Sequence, residues 1–241
     1  MQIRLLPFET ADGASNMATD EALLHTAAEA GVATLRFYAW QPATLSLGYF
    51  QPAAVRLGNG RLESLAWVRR PSGGATLVHD RELTYCLALP PGVPWQTGEP
   101  WPRRMHRIIV AALHELGFVQ PLLAPAPHRH GDVLCFQQQT PDDVLCAGHK
   151  IVGSAQRKYR RALLQHGSVL LAKSSWAPEL PGLLELTGSH PTCMALQAAI
   201  VAAFERDTGW LVRPDHWLVE ESGHWYERRD KYLGREWNMK R

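Results

Sequence analysis

The chain has 241 residues, 46% hydrophobic and 20% charged, with a formal net charge of +2. That length fits one large domain with a sizeable core. The near-balance of charge argues against a bulk nucleic-acid binder, and no apolar run approaches the roughly 18 residues of a membrane span. The start, Met1-Gln2-Ile3-Arg4-Leu5-Leu6-Pro7, lacks a signal peptide's apolar segment, so a cytoplasmic location is expected. Cys86, Cys135, Cys146 and Cys193 are scattered without zinc spacing. No structural metal is expected, and the thiols should be reduced in that compartment.

In chain order, Gln2 to Phe8 reads as a first strand, and Asn16 as the N-cap of a helix from Met17 to about Glu29, ended by Gly31. Ala33 to Trp40 and Thr44 to Tyr49 are β-rich and joined by a turn at Gln41-Pro42. Further strands are expected at Ala66 to Arg69, Ala75 to His79 and Leu83 to Leu89. Pro102 opens a helix in which Met105, Ile108, Ile109, Ala112, Leu113 and Leu116 recur at helical spacing before Gly117. The segment from Pro121 to Arg129 reads as a surface loop. Strands follow at Val133 to Phe136, Asp143 to Ala147, Lys150 to Arg157 and Leu163 to Leu171. Thr192 caps a second helix that carries Met194, Ala198, Val201, Ala202 and Phe204 before Gly209, and the Trp-containing tail from Asp215 should pack on the domain. The pattern predicts an α/β (α+β) protein, a mixed sheet with helices against one face, in a single domain over residues 1–241.

Two segments could carry chemistry. In Arg69-Arg70-Pro71-Ser72-Gly73-Gly74-Ala75-Thr76-Leu77-Val78-His79-Asp80, paired glycines permit positive φ and leave no Cβ in a ligand's way. Taken alone, the glycines favour an ordinary hairpin turn between strands, and His79-Asp80 fits a polar turn. In Lys150-Ile151-Val152-Gly153-Ser154-Ala155-Gln156, a strand-borne lysine meets small residues that suit a ligand-facing wall. A solvated edge lysine is the alternative. Cys86, Cys146 and Cys193 have structural explanations, whereas Cys135 follows the Pro- and His-rich loop. A free thiol near pKa 8.5 is mostly protonated at neutral pH, and a nearby ammonium favours the thiolate. Cys135 and Lys150 would form such a pair if the sheet brings them together, which points to acyl transfer. From Val144 to Pro178 there is no acidic residue, and Arg157 to Arg161 should form a positive turn, either solvated or a docking site for an acidic partner.

These segments resemble the lipoate–protein ligase and octanoyltransferase superfamily, whose catalytic domain is related to that of biotin–protein ligases. Asn16-Met17-Ala18-Thr19-Asp20-Glu21-Ala22-Leu23-Leu24, Ser46-Leu47-Gly48-Tyr49-Phe50-Gln51, Arg69 to Asp80, Lys150 to Gln156, Leu164-Gln165-His166-Gly167-Ser168-Val169-Leu170, Lys231-Tyr232 and Glu236-Trp237-Asn238 carry the likeness. Cys135-Phe136, Glu82-Leu83-Thr84-Tyr85 and the His166 segment look like the cysteine-dependent octanoyltransferase branch. Gly-Gly-Ala-Thr departs from the third glycine usual in ligases and from the arginine frequent in that transferase branch. The resemblance implies the biotin/lipoate protein ligase fold, a mixed, largely antiparallel sheet flanked by helices. It implies transfer of an octanoyl group from octanoyl-acyl carrier protein to a lysine of a lipoyl domain, on an E2 subunit of a 2-oxoacid dehydrogenase or on the glycine cleavage H protein. Cys135 would be the nucleophile, and Lys150 would stabilise the thiolate and then the oxyanion, and could also relay a proton when the target lysine attacks. Arg70, Ser72, Gly73, Gly74, Ala75, His79, Gly153, Ser154, Ala155 and His166 would line the acyl site. A monomer needing no cofactor is implied. The alternatives are an ATP-dependent lipoate ligase using ATP and Mg, a more distant biotin ligase, and a non-catalytic acyl-binding subunit.

Overall fold

The computed structural model describes residues 1–57, 60–92, 98–125, 128–129 and 134–240. In chain order the elements are β1 (Gln2–Leu5), β2 (Glu9–Ala11), α1 (Gly13–Ala30), β3 (Thr34–Trp40), β4 (Thr44–Leu47), α2 (Gly60–Glu63), β5 (Ala66–Arg69), β6 (Leu77–His79) and β7 (Glu82–Leu89). Then come α3 (Trp101–Glu115), β8 (Leu122–Leu123), β9 (His128–Arg129), β10 (Gln138–Gln139), β11 (Val144–Cys146), β12 (His149–Tyr159) and β13 (Ala162–Leu170). The chain ends with α4 (Leu183–Thr187), α5 (Cys193–Thr208), β14 (Leu211–Pro214), α6 (Val219–Leu233) and α7 (Arg235–Asn238).

A nine-stranded sheet runs β14-β1-β3-β7-β13-β12-β11-β8, with β2 added along β3. The β14–β1, β1–β3 and β2–β3 pairs are parallel, and every other pair along it is antiparallel. The mixed, largely antiparallel architecture expected from the sequence is the one found. Its helices, however, cover both faces. Along β7, Leu83, Tyr85, Leu87 and Leu89 enter a core with α3 and α5, whereas Cys86 and Ala88 pack with Met17, Leu23 and Leu24 of α1. The unbroken apolar run from Tyr85 to Leu89 in β7 is what a sheet buried on both sides requires, and it hides the alternation that would mark a one-sided sheet.

The small sheet β5-β4-β6 holds the glycine segment. β5 pairs with β4 in parallel and β6 pairs with β4 antiparallel, so the chain from Arg70 to Thr76 crosses between strands that flank β4. It is not a hairpin turn. The close passage of the loop after β4 requires glycine: a Cβ on Gly48 would lie 1.9 Å from the Gly74 carbonyl oxygen.

Several boundaries differ from expectation for local reasons. Helix α1 begins four residues early, because Asp12 caps it by accepting from the Ser15 N–H at 2.8 Å. Asn16 is instead buried inside the helix, donating to the Ala11 and Ala39 carbonyls. Of the strand expected at Val133 to Phe136, Val133 lies outside the described residues. Leu134 bridges Thr76, and Cys135–Gln137 then turns into a 3-10 helix. Part of the Pro121 to Arg129 segment is also outside the described residues; the rest includes two short strands. Strands β4 and β6 are shorter than expected, and β4 leaves the sheet of β3. Helix α5 matches, with Thr192 accepting from Ala195 N–H and Gly209 in the left-handed region. Among the described residues no helix is long and apolar enough to cross a membrane.

The tail packs as expected, α6 lying along α1. Its last turn holds the site from behind. Asn238 Oδ1 accepts from the Arg69 N–H at 2.8 Å, and its carbonyl accepts from Arg69 Nε and Nη2. The guanidinium continues to the carbonyls of Gly48, Tyr49 and Gln51. Asn238→Ala removes the side-chain acceptor of the Arg69 N–H and the donor to the Tyr232 carbonyl, while the Gly234 carbonyl keeps the backbone N–H of the same residue. It is expected to lower the unfolding free energy by about 2–3 kcal/mol, read as a lower denaturant midpoint at unchanged m-value.

Candidate active site

Arg70 organises the glycine segment. Its Nη2 donates to the carbonyls of Gly73 at 2.8 Å and Ala75 at 2.7 Å, and Nη1 to the Ser46 carbonyl and hydroxyl at 3.1 and 3.0 Å. The turn wraps the guanidinium closely, with Gly74 at φ 94°. From Ser46 the network continues to Nε2 of His79 at 2.8 Å, whose Nδ1 lies 2.6 Å from Glu82 Oε1. Thr84 and Ser168 donate to the same carboxylate oxygen at 2.7 and 2.9 Å. With Arg70 donating to Ser46, the Ser46 hydroxyl is free to donate to Nε2, so Nδ1 carries the proton that faces Glu82. The His79 ring stacks on Trp40 with centroids 3.8 Å apart.

A second buried group joins α1, β3, β13 and the glycine turn. Nδ1 of His166 lies 2.9 Å from Asp20 Oδ2, and its Nε2 lies 2.5 Å from the Ser72 hydroxyl. Asp20 also accepts from Arg36 at 3.0 Å and from the Tyr38 hydroxyl at 2.8 Å. Burial pushes the Asp20 carboxyl up, but the hydrogen bond from His166 and the charge of Arg36 outweigh it and leave the carboxyl below its usual 3.8. Asp20 is therefore a carboxylate at neutral pH.

These groups surround a narrow cavity with about 480 Å³ of empty space, part of it open to solvent. Of the residues singled out in the sequence, Arg70, Gly74, His79, Cys135, Gly153, Ser154, Ala155 and His166 line it, joined by Met17, Tyr38, Trp40, Leu77 and Phe136. Ser72, Gly73, Ala75 and Lys150 are not among its lining residues. Ser72 and Ala75 hold His166 and Arg70 from behind. Cys135 is the one thiol on this cavity among the described residues, half-buried, its N–H donating to the Thr76 carbonyl at 2.7 Å. Burial lowers the Arg70 pKa while a charge on Cys135 raises it, so the thiol lies within electrostatic reach of that guanidinium. Burial pushes the thiols of Cys86, Cys146 and Cys193 up, so all three remain protonated.

Lys150 is buried in β12, as the strand reading requires, but its ammonium is committed. Nζ lies 2.8 Å from Asp143 Oδ2, donates to the Gln138 carbonyl at 3.1 Å and overlies the Phe136 ring at 5.3 Å. The stem passes behind Gly153, where a Cβ would come within 2.6 Å of Lys150 Cε. Glycine at 153 therefore makes room for the lysine. Asp20, Glu82 and Asp143 escaped sequence reading as site residues. Asn16 and Asp20 one helical turn apart in an otherwise apolar stretch of α1, and Glu82 and Thr84 alternating in an apolar strand, are the available signals.

A cavity walled by a glycine turn, a cysteine and a strand-borne lysine is the setting in which comparison with known proteins is informative. The family model for the lipoyl protein ligase A/B catalytic domain matches residues 12–177. The octanoyltransferase LipM of Kyrpidia tusciae is 31% identical, with 99% of this chain and 98% of that protein covered. The LipM of Exiguobacterium sibiricum is 32% identical with the same coverage. A crystal structure of lipoate–protein ligase A bound with ATP superposes with a TM-score of 0.80 at 23% identity, covering 99% of each chain. The chain thus belongs to the lipoyl protein ligase A/B catalytic-domain family, on its octanoyltransferase branch, and is a transferase.

Histidines held away from water give the protein a pH signature. Burial pulls His79 below its usual 6.5, against the upward pull of Glu82, and burial does the same for His106 and His25. Below 6.5 the unfolded chain binds protons that the folded one refuses, so stability rises with pH through this range and falls on acidification. Unfolding free energy measured between about pH 5 and 7 is expected to climb, and His79→Gln to flatten part of that slope.

Proposed function

We propose that the protein moves an octanoyl group from octanoyl-acyl carrier protein to the target lysine of a lipoyl domain, through a thioester on Cys135, in protein lipoylation. The observation that carries this reading is the position of Cys135: it lines an apolar-walled cavity together with Arg70, while the other three thiols are held protonated by burial. The octanoyltransferase names of the relatives support the acyl group and the reaction class. For the acceptor, a solved archaeal bi-partite lipoate protein ligase was described with its E2 lipoyl domain, and this chain shares its fold at a TM-score of 0.77.

In this reading the Cys135 thiolate attacks the thioester carbonyl and the carrier thiol leaves, giving an S-octanoyl enzyme. Arg70 lies within reach of the thiolate charge from inside the cavity. Lys150 sits behind Gly153 and Phe136, where charge developing on the oxyanion competes with Asp143 for its ammonium. No nucleotide or metal enters the scheme. The basic turn at Arg160 and Arg161, both at positive φ between β12 and β13, suits an acidic protein partner.

The test supplies octanoyl-carrier protein and a lipoyl domain without ATP. Transfer is expected, with a mass gain of one octanoyl group on the wild-type protein, and Cys135→Ala should abolish both. Transfer that needs ATP and free fatty acid, and survives Cys135→Ala, would assign the ligase reaction instead.

A further inference from the structure

The proposed reaction brings an acceptor lysine to the acyl group on Cys135, and a lysine reaches only as far as its flexible stem allows. The protein that carries it must therefore lie against the mouth of the cavity. A carrier protein presents its acyl group on a long prosthetic arm and can stand further off. What borders the mouth thus bears first on the acceptor.

The mouth lies at the glycine turn, where Gly74 is both exposed and a lining residue. The loop after β4 packs on that turn. The Tyr49 N–H donates to the Ser72 carbonyl at 2.8 Å, and the Phe50 ring lies 3.8 Å from where a Cβ on Gly73 would sit. Phe50 is 69% exposed and meets the Tyr49 ring edge to face. Two cations approach Tyr49, Lys240 Nζ at 3.8 Å from the ring centroid and the Arg157 guanidinium at 5.3 Å. Arg157 stands two positions after the lining residue Ala155 on β12, so it shares the cavity's side of the sheet. Lys240 also overlies Trp237 at 4.0 Å, and the Trp237 indole donates to the Arg69 carbonyl at 2.8 Å, which fastens the patch to the glycine segment.

Charge on this patch is ordered without being neutralised. Elsewhere Arg104, Arg107 and Arg206 are paired with carboxylates. Arg157 and Lys240 rest on rings instead, and among the described residues neither has a carboxylate partner. Asp230 and Glu236 share a surface hollow with Lys240 without pairing with it. A ring face restrains a cation and leaves its charge to act outward. An exposed aromatic anchor flanked by such cations is the make-up of a docking surface for a protein with an acidic rim.

Resting on the octanoyltransferase reading, in which a lipoyl domain is the acceptor, we propose that Tyr49, Phe50, Arg157 and Lys240 form the surface on which that domain docks. Carboxylates beside its target lysine meet Arg157 and Lys240, and an apolar contact covers Phe50. The lysine then enters over Gly73, where no Cβ stands in the way. The turn at Arg160 and Arg161 lies roughly 15 Å further along the hairpin from Ala155, and Arg160 is already paired with Glu29 at 3.4 Å. The cations at the mouth, not those at the turn, position the lysine.

A binding measurement and the two half-reactions together test this surface. Unmodified lipoyl domain is titrated into the enzyme by calorimetry at about 50 and 300 mM salt. The wild type is expected to bind, and to bind more weakly at the higher salt. Arg157→Glu combined with Lys240→Glu should weaken binding on the order of 10–100-fold and remove most of the salt dependence. Phe50→Ala should weaken it about 10-fold with the salt dependence kept. All three side chains are exposed, so the variants should fold; Arg157→Gln with Lys240→Gln should show a smaller loss and carries the test if charge reversal disturbs the protein. In single-turnover assays the same variants should load octanoyl from a small octanoyl thioester at the wild-type rate. Their transfer to the lipoyl domain should need more of that domain for half-saturation and reach the wild-type maximal rate. Unchanged affinity for the lipoyl domain in the charge-reversed variant overturns the surface. So does a defect confined to loading from octanoyl-carrier protein, which would give the patch to the carrier. Absence of octanoyl-enzyme in the wild type overturns the thioester reading, and the binding titration then still decides the surface.

Discussion

Two buried carboxylates, Asp20 and Glu82, decide what kind of surface the cavity presents. Buried polar groups without partners cost free energy, so each donor near the cavity must find an acceptor. Glu82 takes His79, Thr84 and Ser168, and Asp20 takes His166 and Tyr38 together with Arg36. Those five side chains other than Arg36 are all lining residues. Trp40 is satisfied too, its indole N–H donating to Thr84 Oγ1 at 2.9 Å. These polar hydrogens therefore turn outward into the protein, and the cavity is walled largely by rings and apolar side chains, with the Ser154 hydroxyl a buried polar atom on its lining. An unsubstituted alkyl chain gives up no hydrogen bonds on entering.

The same economy of partners explains how a wall built partly from loop can be rigid. The glycine turn has little side-chain packing of its own, and Arg69 and Arg70 replace it with hydrogen bonds. Arg70 gathers the carbonyls of Ser46, Gly73 and Ala75, and Arg69 those of Gly48, Tyr49, Gln51 and Asn238. Arg69 thereby ties the site to the chain's last helix, while the N-terminal strand is tied to α6 by the buried pair of Arg4 and Glu221. The last helix thus closes behind the glycine turn, and a site supported in this way holds its geometry better than a free loop would.

What could be read from the sequence was whatever depends on neighbours along the chain. Helix α5 was legible because Thr192 and Gly209 are local caps, and β5 because its β-rich run is bounded by a turn at Arg70-Pro71. Asn16 looked like a cap because it precedes an apolar stretch, but its amide is spent on Ala39 and Arg36, far along the chain. Strand β14 has no strong local pattern and exists because it pairs in parallel with β1. Cys135 looked β-like from composition, yet only the bridge from Thr76 to Leu134 fixes where the extended chain stops and turns. Of the site, the glycine turn, the cysteine and the small residues after Lys150 were visible as unusual residue types. Asp20, Glu82 and Asp143 were not, because an isolated acid gains meaning only from a partner that the fold supplies.

Lys150 shows why a partner matters even for a group expected to do chemistry. A bare ammonium inside the protein would carry a desolvation penalty of several kcal/mol, and Asp143 offsets it while the Gln138 carbonyl and the Phe136 ring complete its surroundings. Asp143 is itself held by the Thr140 N–H and hydroxyl at 2.6 and 2.9 Å, so it cannot follow the lysine if the lysine moves. The ammonium is thereby held beside a fixed carboxylate. In the proposed reaction its field becomes available when a second negative charge arrives on the other side of Gly153, and the lysine then divides its interaction between a fixed carboxylate and a transient oxyanion. Arg70, anchored by four acceptors, cannot redistribute itself in that way. One cation is thus fixed in place, and in the proposed reaction the other suits a charge that appears and vanishes within each half-reaction.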